Sequence, residues 1–283
     1  MKFAKMQGTG NAYIYVNCFE ETVFDPPAAA KFLSDRHFGV GSDGLVLIEP
    51  SDRADFKMDI YNSDGSRARM CGNAARCVAK YVCDNGLTDK SLISLETPGG
   101  IKYIDIYKEN GKVVSARVNM GAPILKSRDI PALFDSDTVI DLPLKVGEKS
   151  YRVTCLSMGN PHCVIFSNDA DSVNIQKTGP EFENHPAFPD RINTEFVQPL
   201  SGSHIKMRVW ERGAGETLSC GTGACAAAAA CILNGYCKRD TDITVTLRGG
   251  ELSVNWSADG AVYLTGPAAT VFTGEIACCG GAR

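Results

Sequence analysis

Two stretches set a cysteine directly ahead of a glycine and a run of helix-forming residues: "MCGNAARCVAKYVC" (70–83) and "SCGTGACAAAAAC" (219–231). That order has a chemical reading. The first backbone N–H groups of a helix have no partner inside it and carry partial positive charge. An anion such as a carboxylate docks there, and a cysteine at the same point is expected to shift toward thiolate. Glycine lets a ligand approach the backbone closely. Cys71 with Gly72 and Asn73, and Cys220 with Gly221 and Thr222, therefore each offer a reactive sulfur beside an anion cradle. Two thiols facing one carbon from opposite sides could take a proton from one face and return one to the other. That inverts a stereocentre by general acid–base chemistry.

Other polar residues fall close to these stretches. "GNPH" supplies Asn160 and His162, and "WERGAGETLSCG" puts Glu211 and Arg212 on a loop shortly before Cys220, where an arginine suits a carboxylate. His37, His185 and His204 have no motif around them and read as structural or surface residues. "GVGSDG" (39–44) has the glycine spacing of a dinucleotide loop, but helix-like "AAAKFLSDRHF" precedes it and strand-like "LVLIE" follows. The order is the reverse of what such a loop needs, which excludes a nicotinamide site.

Cys71 and Cys220 lie 149 positions apart, and the same offset relates other segments. It sets Gly10-Asn11 on Gly159-Asn160, Lys57-Met58 on Lys206-Met207, and Asn85-Gly86 on Asn234-Gly235. Over residues 57–86, eight of 30 positions are identical without a gap, where chance gives about two. The chain is a repeat. Strand character recurs in "LVLIE", "FKMDIY" and "SLISLET", then in "NTEFVQ", "HIKMRVW" and "DITVTL". Each half carries one strong helix, over 73–83 and 224–233, closed by Asn-Gly. The second helix is apolar on every side, so it is expected to be buried all round. These patterns predict an α/β (α+β) fold of two pseudo-symmetric domains, each a sheet or barrel wrapped round a central helix. The expected lobes are 1–118 plus 266–283, and 119–265.

The 283 residues are 44% hydrophobic and 22% charged, with a net charge of −4, the mix of a globular protein. Without basic runs or a long apolar stretch, nucleic-acid and membrane binding are not expected. The N-terminus lacks the apolar core of a signal peptide, so a cytoplasmic location is expected. Twelve cysteines in such a chain read as thiols rather than disulfides, and no C-x-x-C spacing suggests a zinc or redox centre.

"GNAYIYV", "GSDGL", "YNSDGSRARMCGNAARC", "MGNPHCV", "RINTEFV" and "WERGAGETLSCGTGACA" resemble the motifs of diaminopimelate epimerase, in that family's order and over nearly the whole chain. The resemblance implies a cofactor-independent enzyme interconverting LL- and meso-2,6-diaminopimelate in lysine and cell-wall synthesis, usually as a homodimer. It implies that Cys71 and Cys220 are the catalytic pair, the first usually assigned as proton donor and the second as acceptor, exchanging in reverse. His162 and Glu211 match residues that tune the thiols. Asn11, Asn62, Asn160, Asn193, Glu211 and Arg212 match substrate-binding positions, and Gly72-Asn73 and Gly221-Thr222 match the helix ends holding the reacting carboxylate.

Two departures stand out. Many members carry glutamine at Gly44, and many carry a tyrosine linked to dimer contacts at Phe272. The tail "IACCGGAR" has no assignable role. The nearest alternative is a proline or hydroxyproline racemase of the same fold, which would share the two-thiol logic. Phenazine-type isomerases share the fold but lack the cysteine pair. A thiol redox or metal-binding protein is disfavoured by the cysteine spacing. A pyridoxal-phosphate racemase is disfavoured because no lysine stands in a Schiff-base context.

Overall fold

The computed structural model describes residues 1–277; positions 278–283, most of the "IACCGGAR" tail, lie outside the described residues. The chain divides into two compact units, Met1–Val118 with a return from Thr265, and Asn119–Leu264. Thr265, placed in the second lobe on sequence, belongs to the first unit.

The first unit contains β1 (Lys2–Gly8), β2 (Asn11–Asn17), α1 (Pro26–Ser34), β3 (Gly44–Glu49), β4 (Phe56–Asn62) and β5 (Arg67–Ala68). It continues through α2 (Gly72–Asp84), β6 (Leu92–Thr97), β7 (Gly100–Glu109) and β8 (Lys112–Gly121). The second contains β9 (Val139–Val146), β10 (Lys149–Ser157), β11 (Pro161–Phe166), α3 (Ile175–Glu183), β12 (Asn193–Ser201) and β13 (His204–Glu211). Then follow β14 (Gly215–Thr217), α4 (Gly221–Leu233), β15 (Ile243–Leu247), β16 (Gly250–Trp256) and β17 (Val262–Pro267). The last strand, β18 (Ala269–Glu275), returns to the first unit.

The pairing is the same in both units. In the first, β1–β2 is antiparallel, β2–β3 parallel, β3–β4 antiparallel, β4–β6 parallel and β6–β7 antiparallel. In the second, β10–β11, β11–β12, β12–β13, β13–β15 and β15–β16 repeat that sequence. The return of the chain end follows from this scheme. In the second unit β10 is flanked by the preceding strand β9. In the first unit the corresponding place beside β1 is taken by β18, antiparallel. Arg76, fully buried on α2, fastens this return by donating from Nε to the Pro267 carbonyl and from Nη2 to Thr9 Oγ1, each at 3.3 Å.

The 149-residue offset carries both helix pairs onto one another without a slip: 26–34 onto 175–183, and 72–84 onto 221–233. Their caps coincide too, Asp25 with Asn174, Cys71 with Cys220, and Asn85 with Asn234. α4 packs against β10, β11, β12, β13, β15 and β16, and Gly223 through Cys231 are buried, as the all-round apolar pattern requires. Ala and Cys side chains are short, which lets the strands close in on every face. α2 is packed by β1, β2, β7 and β18. Among the described residues no helix is long and apolar enough to cross a membrane.

The expectation of one helix per half falls short by one each. α1 is the helix-like "AAAKFLSDRHF" shifted toward its start: Pro26 and Pro27 open it, and Asp25 Oδ1 accepts from Ala28 N–H. It ends at Ser34 because the Asp35 carboxylate takes the N–H groups of His37 and Phe38 instead. α3 carries Gly179-Pro180 mid-helix, the reason its propensity is invisible. Gly179 is there for space. A Cβ built on it would stand 2.3 Å from Trp210 Cδ2.

One ion pair marks the repeat with its polarity reversed. Asp59 on β4 accepts from Arg67 on β5 at 2.6 Å. At the equivalent positions Arg208 on β13 donates to Glu216 on β14 at 2.9 Å.

Gly179→Ala should push Trp210, and with it the end of β13, costing about 1–3 kcal/mol by overpacking. A melting temperature several degrees below wild type is expected; an unchanged one would mean that the indole moves aside freely.

Candidate active site

Each candidate cysteine is the residue before its helix. Cys71 has extended backbone (φ −142°, ψ 115°) and Cys220 nearly the same (φ −124°, ψ 111°). Each sulfur turns back to accept a backbone N–H from the first turn, Ala74 at 3.5 Å and Gly223 at 3.4 Å. The thiols thus fill the capping role normally taken by Ser, Thr, Asp or Asn. The leading N–H groups, on Gly72 and Asn73 and on Gly221 and Thr222, have no acceptor within their helices.

In the first unit, the thiol of Cys71 lies 3.5 Å from Asn11 Oδ1, which also accepts from Asn73 Nδ2 at 3.4 Å. Asn11 is fixed in turn by donating to Asp43 Oδ2 at 2.8 Å, and the same oxygen accepts Ala12 N–H. Asp43, just before β3, is the anchor that sequence reasoning passed over inside "GSDGL". Asn62, at the end of β4 and paired with Gly44, donates to Ser66 Oγ at 3.0 Å. Gly44 cannot be replaced by glutamine on this backbone, because a Cβ would meet the Tyr61 carbonyl at 2.1 Å.

In the second unit, Cys220 is 5% exposed, with Thr222 Oγ1 3.5 Å from its sulfur. His162 on β11 is fully buried, and both ring nitrogens are engaged. Nε2 meets Asn160 Oδ1 at 2.9 Å and Nδ1 meets Glu195 Oε1 at 2.7 Å. An amide oxygen only accepts, so Nε2 carries a hydrogen. Glu195 on β12 is fully buried and was read only as part of a strand. A carboxylate inside "NTEFV", an otherwise half-apolar run on a core strand, was the available signal.

The loop ahead of Cys220 is held from beneath. Asn193 is buried, donating to the Pro161 carbonyl at 2.7 Å and accepting Arg212 N–H at 2.9 Å. Its side chain is therefore committed to the fold at both ends. The Arg212 guanidinium donates to the Asp190 carbonyl at 2.9 Å. Glu183, at the end of α3, accepts from Trp210 Nε1, Gly213 N–H and Arg191 Nη1. Glu211 accepts from Thr217 Oγ1. Phe272 stands on β18, edge-on to Phe3 with ring centroids 6.0 Å apart and 44% exposed.

The expected drift of the thiol toward thiolate is reversed at Cys220. Burial pushes its ionisation well above the ordinary thiol range, and the charges of Glu211 and Glu195 push the same way. The contacts from Thr222 and the Gly223 N–H oppose this but are outweighed. The helix end alone does not set the acidity of this thiol; desolvation does.

The sequence model of the diaminopimelate epimerase family matches residues 3–126 and 154–271. A diaminopimelate epimerase of Acetivibrio thermocellus is 54% identical over 277 residues, covering 98% of each chain. That of Methanococcus maripaludis strain C5 is 54% identical over 98% of this chain and 99% of its own. Among solved structures, a hydroxyproline epimerase from Agrobacterium vitis superposes with a TM-score of 0.72 at 14% identity, over 98% of this chain and 90% of its own. A PhzF-family protein from Bacillus anthracis gives 0.69 at 17% identity, over 98% and 99%. At such low identity these neighbours establish the shared fold alone.

Buried thiols set a pH window for stability. Burial lifts Cys77 to about 11, and pushes Cys163 and Cys220 well above the ordinary thiol range, whereas an unfolded thiol ionises near about 8.5. Folded-state values above the unfolded one give stability that is complete below about pH 8.5 and is lost as pH rises toward the folded values. The urea midpoint is expected to be lower at pH 10 than at pH 8; equal midpoints would contradict the burial of these thiols.

Proposed function

The chain belongs to the diaminopimelate epimerase family, and from that premise we propose that it interconverts LL- and meso-2,6-diaminopimelate with Cys71 and Cys220 as its two acid–base groups. One observation carries the reading. Both cysteines cap helices at positions related by the internal repeat, in a chain 54% identical over nearly its full length to a diaminopimelate epimerase. The proline-type alternative has support only from the fold, at 14% identity.

In the LL-to-meso direction one cysteine, as thiolate, takes the α-proton and becomes a thiol. The carbon keeps the electron pair. The other cysteine, as thiol, delivers its proton to the opposite face and is left as thiolate. The centre is inverted with no net change in protons, and the next turnover in the same direction requires both sulfurs to exchange protons with solvent. In the meso-to-LL direction the roles swap. The carbanion forms beside a carboxylate, so charge develops on carboxylate oxygens. N–H groups at Gly72, Asn73, Gly221 and Thr222 are the donors suited to them, being preorganised by the helices. Thiol N-caps serve this scheme because each sulfur is fixed by its helix and still free to change protonation.

Asn11, Asn160, Arg212 and the β4 and β13 ends at Asn62 and Glu211 are assigned to the distal amino-acid end and to the groups around it. Asn193 contributes by holding the Arg212 turn. The assignment needs no cofactor, since both proton-transfer groups are side chains. The ten described cysteines are unbridged, which fits a reducing cytoplasmic setting. A homodimer using the β18 face with Phe272 is part of the same proposal, and sedimentation of the purified chain tests it.

The decisive assay is proton NMR with LL-diaminopimelate in D₂O and no added cofactor. Loss of the α-proton signal with appearance of the meso isomer is expected for wild type. Cys71→Ala and Cys220→Ala should each lose epimerisation by at least about a thousandfold. Normal turnover in either variant would sink the two-base scheme, and no exchange by wild type would reject the substrate.

A further inference from the structure

The repeat allows the two half-sites to be compared residue by residue. His162 corresponds to Tyr13, Glu195 to Val46, and Gly223 to Ala74. The last two exchanges depend on each other. A Cβ at Gly223 would stand 2.8 Å from Glu195 Oε1, too close for an alanine, and 3.3 Å from Cys220 Sγ. In the first unit the smaller reach of Val46 leaves room for the Ala74 methyl, and both residues are fully buried. The second unit has given up a helix-favouring alanine at the third helical position for glycine, and that glycine is what admits a carboxylate to the start of α4.

The carboxylate is unusually placed. Glu195 and His162 are both fully buried, and the Nδ1–Oε1 contact of 2.7 Å is short. Glu195 Oε2 is buried with no hydrogen-bond partner. Its side-chain partner is His162, assisted by its own backbone N–H, in surroundings that screen a charge weakly. The titratable groups facing it are His162 and Cys163 from β11, Glu211 from β13 and Cys220 from α4.

We propose that Glu195 is a positioning residue for the Cys220 thiol: with the buried His162 and the half-buried Asn160 it forms a chain at the start of α4, peculiar to the second half-site, that makes the two cysteines unequal. Cys71 has the neutral Asn11 amide beside it, with the Asp43 carboxylate one hydrogen bond further out. Cys220 works beside a dry imidazole–carboxylate dyad. Burial raises the ionisation of Glu195 and His162 draws it back, while the Glu195 charge disfavours thiolate at Cys220. The inference rests on the reading of Cys220 as a proton-transfer group.

The test uses the full-length chain and two variants. Glu195→Gln keeps shape and removes charge. Glu195→Val with Gly223→Ala installs the pairing of the first unit and keeps the core filled. Cys71 and Cys220 are labelled with a small methanethiosulfonate across a pH series and read by site-resolved mass spectrometry, and pH profiles of kcat and KM are taken with diaminopimelate. In both variants the Cys220 labelling midpoint is expected to move to lower pH while that of Cys71 stays. kcat should fall by about tenfold or more with KM little changed. Superposable Cys220 profiles, or wild-type kcat in the valine–alanine variant, would overturn the proposal. If Glu195→Gln does not fold, the double variant decides alone. Labelling needs no substrate, so a wild type inactive on diaminopimelate would reject the assigned reaction while the Cys220 profiles still judge Glu195.

Discussion

The whole arrangement depends on a sulfur standing where a helix begins. A thiol that caps a helix is fixed by the backbone it caps: its extended φ and ψ and its contact with the third helical N–H leave it little freedom. Each central helix is held in turn by strands that pack on several of its faces. Moving the sulfur would mean moving a helix, and moving the helix would mean opening a sheet. The small residues of α4 are part of the same constraint, since they let strands grip the helix closely enough to fix its end.

Duplication supplies two such ends, and the differences between them are where the chemistry is tuned. The first half-site is built from amides and one carboxylate on a turn, Asn11, Asn73 and Asp43. The second is drier, with Glu195 and Glu211 near a nearly inaccessible sulfur and His162 bonded to Glu195. An ancestral unit used twice would give two identical thiols. An enzyme acting on two different faces of one centre has reason to make them differ, and the exchange of Val46 and Ala74 for Glu195 and Gly223 is a compact way to do so.

Much of this was legible in the sequence. The offset between Cys71 and Cys220 identified the repeat, and the strands and the two central helices followed from periodicity and from the Asn-Gly stops. What could not be read has physical causes. α3 was hidden because Gly179-Pro180 erases its propensity, and the glycine is demanded by a Trp210 that lies far off in sequence. Asp43, Glu183 and Glu195 were missed because these partners are 30 to 33 residues away, and no local pattern announces such contacts. The direction of the Cys220 shift was misjudged because helix-end charge is a local property, whereas desolvation is set by everything packed around the sulfur. Asn193, placed among the substrate-binding residues, also bonds the Pro161 carbonyl and the Arg212 N–H, contacts that the sequence does not announce.

The reversed ion pair has a bearing on assembly. A chain made of two similar halves risks stitching a strand of one into the sheet of the other while it folds. Here a hybrid of β4 with β14 would set Asp59 against Glu216, and a hybrid of β13 with β5 would set Arg208 against Arg67. Like charges opposed across neighbouring strands repel, while each correct pairing brings opposite charges together. The two halves thus carry complementary keys of opposite sign, so that a common ancestry in sequence does not become a common partner during folding.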